Sequence, residues 1–115
     1  MSTSVSIGTS PVALGALAAE FALLADPLRL RIVELLAREQ LCTCHLIEIT
    51  GAKQTTVSHH LRILREAGVV EVEAEGRFTW YRLAPGAFAD ALTRVQGLAH
   101  AAESTTPRLR PACAT

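Results

Sequence analysis

The chain has 115 residues, half of them hydrophobic and only 4% aromatic, which bounds it to one domain with a core of Leu, Val, Ile and Ala. No apolar run is long enough to cross a membrane, and residues 1–9 lack the cationic-then-apolar order of a secretory signal, so a cytoplasmic protein is expected. The formal net charge is zero, which excludes a uniformly basic nucleic-acid binder but leaves room for a local basic face.

Residues 1–10 are rich in Ser and Thr and read as a disordered N-terminus. Pro11 suits the first position of a helix reaching about residue 25, apolar on more than one side through Val12, Leu14, Leu17, Phe21 and Leu24. Asp26 before Pro27 has the form of a cap followed by a helix start. Leu28, Ile32, Leu35 and Leu36 give that second helix its core stripe, with Arg29, Arg31, Glu34 and Arg38 left in water, to about residue 39. A short third helix is expected over residues 43–50, then a tight turn at Thr50-Gly51-Ala52. The fourth helix begins at Gln54 and stops at Gly68, with Val57, Leu61 and Leu64 as its apolar stripe.

The opposite face of that fourth helix carries Gln54, Thr55, Thr56, Ser58, His59 and His60 early, and Arg62 and Arg65 late. An ordinary solvated amphipathic helix would show the same stripe. From Lys53 to Arg65, however, there are three cations, two His and no acid. Short polar groups can reach base edges in a DNA major groove while Arg residues reach phosphates. Two helices joined by a short Gly turn, the second polar and basic outward, make a helix-turn-helix.

Beyond Gly68 the period changes to two. Val70, Val72 and Ala74 alternate with Glu71, Glu73 and Glu75, and Phe78 to Leu83 is rich in β-formers, so a hairpin is expected with Arg77 at its tip. After Ala84-Pro85-Gly86 a last helix is expected over residues 87–103, followed by a flexible tail at 104–115. The predicted fold is mainly α with a small β-hairpin, a winged helix-turn-helix over residues 11–103, dimeric because its first and last helices carry more apolar surface than one small domain can bury.

Three stretches resemble the ArsR/SmtB family of metal-sensing repressors. Leu24-Ala25-Asp26-Pro27-Leu28-Arg29-Leu30-Arg31-Ile32 looks like the family's opening signature. Thr56-Val57-Ser58-His59-His60-Leu61-Arg62-Ile63-Leu64-Arg65-Glu66-Ala67-Gly68 resembles its recognition helix, and Glu75-Gly76-Arg77 with Trp80-Tyr81-Arg82-Leu83 resembles its wing. The resemblance implies a homodimer paired through its first and last helices, bound to a palindromic double-stranded operator and repressing nearby detoxification genes. Lys53 departs from the pattern, because a Ser often caps the recognition helix there and Lys cannot accept that bond.

Leu41-Cys42-Thr43-Cys44-His45-Leu46 resembles the thiolate motif of the arsenic, antimony, cadmium and lead sensors of this family, with As(III) or Sb(III) as the implied inducer. One branch has a further Cys three residues on, and here that residue is Ile47. Cys113 is the only other thiol; ten residues from Glu103, it can reach at most ~33–36 Å from that helix end. The expected metal ligands are therefore Cys42, Cys44 and, through the tail, Cys113. Residues two apart on a regular helix point to nearly opposite sides, so joint binding by Cys42 and Cys44 demands a non-helical segment between them. The bland reading makes both small core hydrophobes. His45 is taken as a surface helix residue, and His100 with Glu103 as a solvated face. The expected DNA contacts are Gln54, Thr55, Thr56, Ser58, His59, His60, Arg62, Arg65 and Arg77. The competing functions are a Cd, Pb or Zn sensor of the same fold, and a redox sensor in which Cys42 and Cys44 form a disulfide. A thiol enzyme is disfavoured, since no substrate pocket or phosphate loop accompanies Cys44.

Overall fold

The computed structural model describes residues 10–113. Of the N-terminal segment 1–10 expected to be disordered, residues 1–9 lie outside the described residues, and Ser10 is ordered as the cap of α1. Helices run over Pro11–Leu23 (α1), Pro27–Arg38 (α2), Thr43–Thr50 (α3), Gln54–Glu66 (α4) and Ala89–Ala102 (α5). Strands are Leu41–Cys42 (β1), Val70–Glu75 (β2) and Phe78–Leu83 (β3). They form one antiparallel sheet in the order β1-β3-β2, a winged helix-turn-helix. Among the described residues, no single helix is long and apolar enough to cross a membrane.

Local chemistry sets the boundaries. Ser10 Oγ accepts from the Ala13 N–H at 3.0 Å, and Asp26 Oδ1 accepts from the Arg29 N–H at 3.0 Å, each just before a proline at a first helical position. Gly51 ends α3 at φ 73°, a left-handed conformation that admits Gly without steric cost. Thr50 Oγ1 donates to Leu46 O at 2.6 Å and accepts from the Ala52 N–H at 3.2 Å, which pins the turn into α4. Lys53 precedes α4 without a side-chain cap.

Ile32, Val33 and Leu36 of α2, Leu41 of β1, Leu46 of α3, and Val57, Leu61 and Leu64 of α4 form one core with Val69 and Val70. Leu46 is completely buried, so it fixes α3 against its neighbours. The hairpin runs in the register Val70↔Leu83 to Glu75↔Phe78, and Arg82 Nε donates to Glu71 Oε1 across it at 2.9 Å. Only its Val70 end is buried; Ala74 is exposed, because the outer half projects past the helices.

Three sequence expectations change. β1 adds a strand to the hairpin, Leu41 facing Tyr81 and Cys42 facing Trp80. Arg29 is not left in water: its Nε donates to Leu23 O at 2.7 Å and its Nη2 to Ala22 O at 3.2 Å, closing the end of α1. The last helix starts at Ala89 rather than 87, because Phe88 is left-handed at φ 64°, ψ 13°. α1 packs on α5 with Leu17 and Ala91 buried, yet Val12 is 85% exposed, Leu92 57% and Leu98 65%.

Candidate metal centre and nucleic-acid interface

Cys42 is the last residue of β1 and the cap residue of α3, extended at φ −93°, ψ 169°. Cys44 is the second residue of α3. A regular helix would hold the two side chains apart, but the strand-to-helix junction swings the first one round. Cys42 Sγ and Cys44 Sγ lie 3.6 Å apart. The non-helical segment that joint binding by the two thiols demands is therefore already built into the fold, and they meet without unwinding α3. Cys42 is buried and Cys44 exposed. Burial pushes the Cys42 thiol up from its ordinary range, and its hydrogen bond with Cys44 adds to the shift.

His45 belongs with the thiols. Its Nδ1 accepts from the Cys42 backbone N–H at 3.1 Å and lies 3.2 Å from Cys42 Sγ. A backbone N–H can only donate, so Nδ1 presents a lone pair and Nε2 carries the ring proton. The ring packs beside Trp80, centroids 5.6 Å apart, directly across the sheet from Cys42. The donor atoms of Cys42, Cys44 and His45 all lie within 4.8 Å of one another. Two sulfurs and an imidazole suit a thiophilic ion, so the residues present fit that chemistry. The signal available in the sequence was the run Cys-Thr-Cys-His itself, whose fourth residue returns over the first when a helix begins between them. Cys113 is exposed in the tail and stands outside this cluster.

The thiols open on a cleft of about 340 Å³ lined by Cys42, Cys44, Ile47, Gln54, Arg77 and Phe78. One wall is thus the first residue of α4 and another is the hairpin tip. Along α4, Gln54, Thr55, Ser58, His59, Arg62 and Arg65 are exposed and Thr56 is half-buried. Arg62 Nη2 lies 3.4 Å from His59 Nδ1 on that outer face. Arg77 is exposed at the hairpin turn.

His60 does not join them. Only 7% exposed, it turns inward, with Arg29 Nη1 3.2 Å from its Nδ1 and Asp26 Oδ1 3.6 Å from its Nε2. Burial lowers its pKa and outweighs Asp26, which pulls the other way; Arg29 adds to the lowering. Asp26 is itself held below the usual carboxylate value, chiefly by the Arg29 N–H. His60 is a buried tie between α4 and α2, and its assignment to the DNA-facing set is corrected accordingly.

The family profile described as "Bacterial regulatory protein, arsR family" matches residues 26–72, from the cap of α2 into β2. The transcriptional repressor SmtB homolog of Synechocystis sp. is 45% identical over 64 residues, which are 56% of this chain and 48% of that protein. The matched segments span 48% to 64% of the lengths of such curated relatives. A crystal structure of a possible transcriptional regulator for arsenical resistance is 30% identical with a TM-score of 0.62, covering 76% of this chain and 97% of that one. The solution structure of Mb0332 from Mycobacterium bovis, a homodimeric winged helix-turn-helix DNA-binding domain, is 29% identical with a TM-score of 0.62, covering 91% and 100%. With its α2 signature, recognition helix and wing all in family order, the chain belongs to the ArsR family of bacterial regulatory proteins.

Proposed function

We propose that this chain is a cytoplasmic, metalloid-responsive transcriptional repressor rather than an enzyme. It binds a palindromic operator as a homodimer and lets go when Cys42 and Cys44 capture As(III) or Sb(III). The observation that carries this reading is the thiol pair, 3.6 Å apart, on a cleft shared with Gln54 and Arg77. α4 enters the major groove, with Gln54, Thr55, Thr56, Ser58 and His59 near base edges. Arg62, Arg65 and Arg77 contact the phosphate backbone. The winged-helix domain spans residues 11–103 with pairing helices at both ends, and the tail at 104–115 brings Cys113 back as a third sulfur.

Coupling follows from the shared cleft. Cys42 and Cys44, once deprotonated, would hold the ion, and the start of α4 and the wing tip form the other walls of the same cleft. A coupling of about 1–3 kcal/mol between the two sites changes operator affinity by roughly 5–150-fold. The test is operator release titrated with arsenite, antimonite, cadmium, lead and zinc. Cys42→Ser and Cys44→Ser should each abolish ion-dependent release. Cys113→Ser should weaken arsenite affinity but leave some response. Full release by arsenite in Cys44→Ser would overturn the site, while unchanged affinity in Cys113→Ser would remove only the tail. The short Sγ–Sγ distance also favours a second reading, a redox sensor closing a Cys42–Cys44 disulfide. Mass spectrometry after mild peroxide separates it from ion sensing: operator release accompanied by the loss of two hydrogen atoms as peroxide is reduced to water, without any ion, would support it.

A further inference from the structure

We propose that His45 Nδ1 is a third protein ligand beside Cys42 and Cys44, that it extends the site to borderline divalent cations of the Zn²⁺ and Cd²⁺ class, and that its recruitment unfastens the start of α3. The inference rests on the metal-sensing reading of the thiol pair and adds to it a ligand, an ion class and a mechanical step.

The donor spacing carries the first part. Tetrahedral zinc with bonds of about 2.3 Å to sulfur and about 2.0–2.1 Å to nitrogen places two sulfurs about 3.8 Å apart and a sulfur and a nitrogen about 3.6 Å apart. Here the sulfurs are 3.6 Å apart and Cys42 Sγ is 3.2 Å from Nδ1. Small rotations of exposed Cys44 and half-buried His45 cover the difference. The nitrogen already lies beside Cys42 Sγ, 3.2 Å away, and Trp80 beside the ring limits its tilt. Imidazole with thiolates suits zinc-like ions. Three donors from one short segment leave a fourth position open on the cleft, where water or a further protein group completes the tetrahedron.

The second part follows from counting lone pairs. Nδ1 has one, and it now accepts from the Cys42 N–H, the reciprocal bond of a helix capping box. When Nδ1 donates that pair to a cation, the Cys42 N–H loses its acceptor, and the two thiols release their protons to solvent. Cys42 is only 5% exposed, so water does not readily replace the lost bond. Ion capture and the capped start of α3 therefore compete for one atom. α3 is the first helix of the helix-turn-helix, and the completely buried Leu46 follows His45 directly. A disturbance at its start is transmitted into the packing that supports α4.

Two variants of the full-length chain test this. His45→Asn keeps an acceptor oxygen where Nδ1 stood, so it preserves the cap while removing the imidazole; His45→Ala removes both. Affinities for Co²⁺, Cd²⁺ and arsenite are measured by chelator or dithiol competition without DNA. Exchange of the Cys42 amide is followed by NMR. In His45→Asn, Co²⁺ and Cd²⁺ affinity should fall by roughly 10–100-fold, the range that loss of even a supporting partner produces. Arsenite affinity should stay within about twofold, since its sulfur ligands are untouched. The imidazole signals of the Co²⁺ form should vanish with them. Cd²⁺ should speed exchange of the Cys42 amide in the unsubstituted protein but not in His45→Asn. Unchanged Cd²⁺ affinity in His45→Asn overturns the ligand, and equal losses for Cd²⁺ and arsenite assign His45 to packing instead. Failure of every ion to release the operator, with these affinities as expected, would remove the repressor reading and leave the ligand standing.

Discussion

Side by side on α4, His59 and His60 have opposite surroundings. A helix turns 100° per residue, so one faces outward while its neighbour faces α2. Which of the two turns inward depends on Asp26 and Arg29, and Arg29 lies 31 positions away, so local pattern could not decide it. The buried ring has a pH consequence. Its folded pKa lies below the ordinary histidine value of 6.5, so the unfolded chain binds the extra proton first. Stability from neutral His60 is complete above that value and is lost as pH falls below it toward the folded pKa. Asp26 acts in the same direction further down, below the ordinary carboxylate value of 3.8. Thermal unfolding should therefore show a midpoint that falls as pH is lowered through the range just below 6.5, and His60→Gln should flatten that dependence. Truncation to His60→Ala should cost about 1–3 kcal/mol by emptying a buried position and removing the ring nitrogen that Arg29 Nη1 faces at 3.2 Å. A midpoint that rises on mild acidification would mean that Asp26, not burial, governs the ring.

Among the elements, those with a local cause were legible. Asp26-Pro27 announces α2, the stripe Val57, Leu61, Leu64 announces α4, and the alternation after Gly68 announces the hairpin. β1 was not legible, since two residues have no period and they are a strand only because β3 offers them an edge. The same blind spot hid the geometry of the thiols, which depends on Cys42 being extended. The late start of α5 was hidden as well, because nothing in Ala87-Phe88-Ala89 signals a left-handed Phe. In the wing, Arg77 stands exposed at the turn and pairs with no strand residue. Arg77→Ala should weaken binding to all DNA sequences alike and reduce the salt slope by about one. A change in base preference at fixed salt would show instead that the wing reads sequence. Within the core, Leu46→Ala should cost about 2–5 kcal/mol, measured by denaturant unfolding. Operator affinity should suffer with it, because α3 is the support of α4.

The whole molecule is less compact than its length allows. Its radius of gyration is 18.9 Å, against about 13 Å for a globule of this size. α1 and α5 pack on each other, and the apolar residues they leave in water are the physical case for the proposed homodimer. Leu98→Glu, placing a charge on that face, should yield a species of half the mass in sedimentation at micromolar concentration. It should also lose most operator affinity, since each half-site then binds alone. A Leu98→Glu protein that still sediments as a dimer would place the pairing surface elsewhere.

The contact between Trp80 and His45 has an optical consequence. Trp80 is the single tryptophan of the chain, so emission excited at its absorption edge reports one location, 5.6 Å from the ring beside the thiols. Ion capture should alter that emission with a saturation point of one ion per chain, and Cys44→Ser should abolish the change. An unaltered spectrum at full ion loading would mean that the ion sits away from β3. Because the signal needs no DNA and no label, occupancy of the thiols can be read in the same cuvette as operator dissociation followed on the DNA. The ratio of ion affinities with and without operator then gives the coupling free energy directly, from a fluorophore the fold has already put in place.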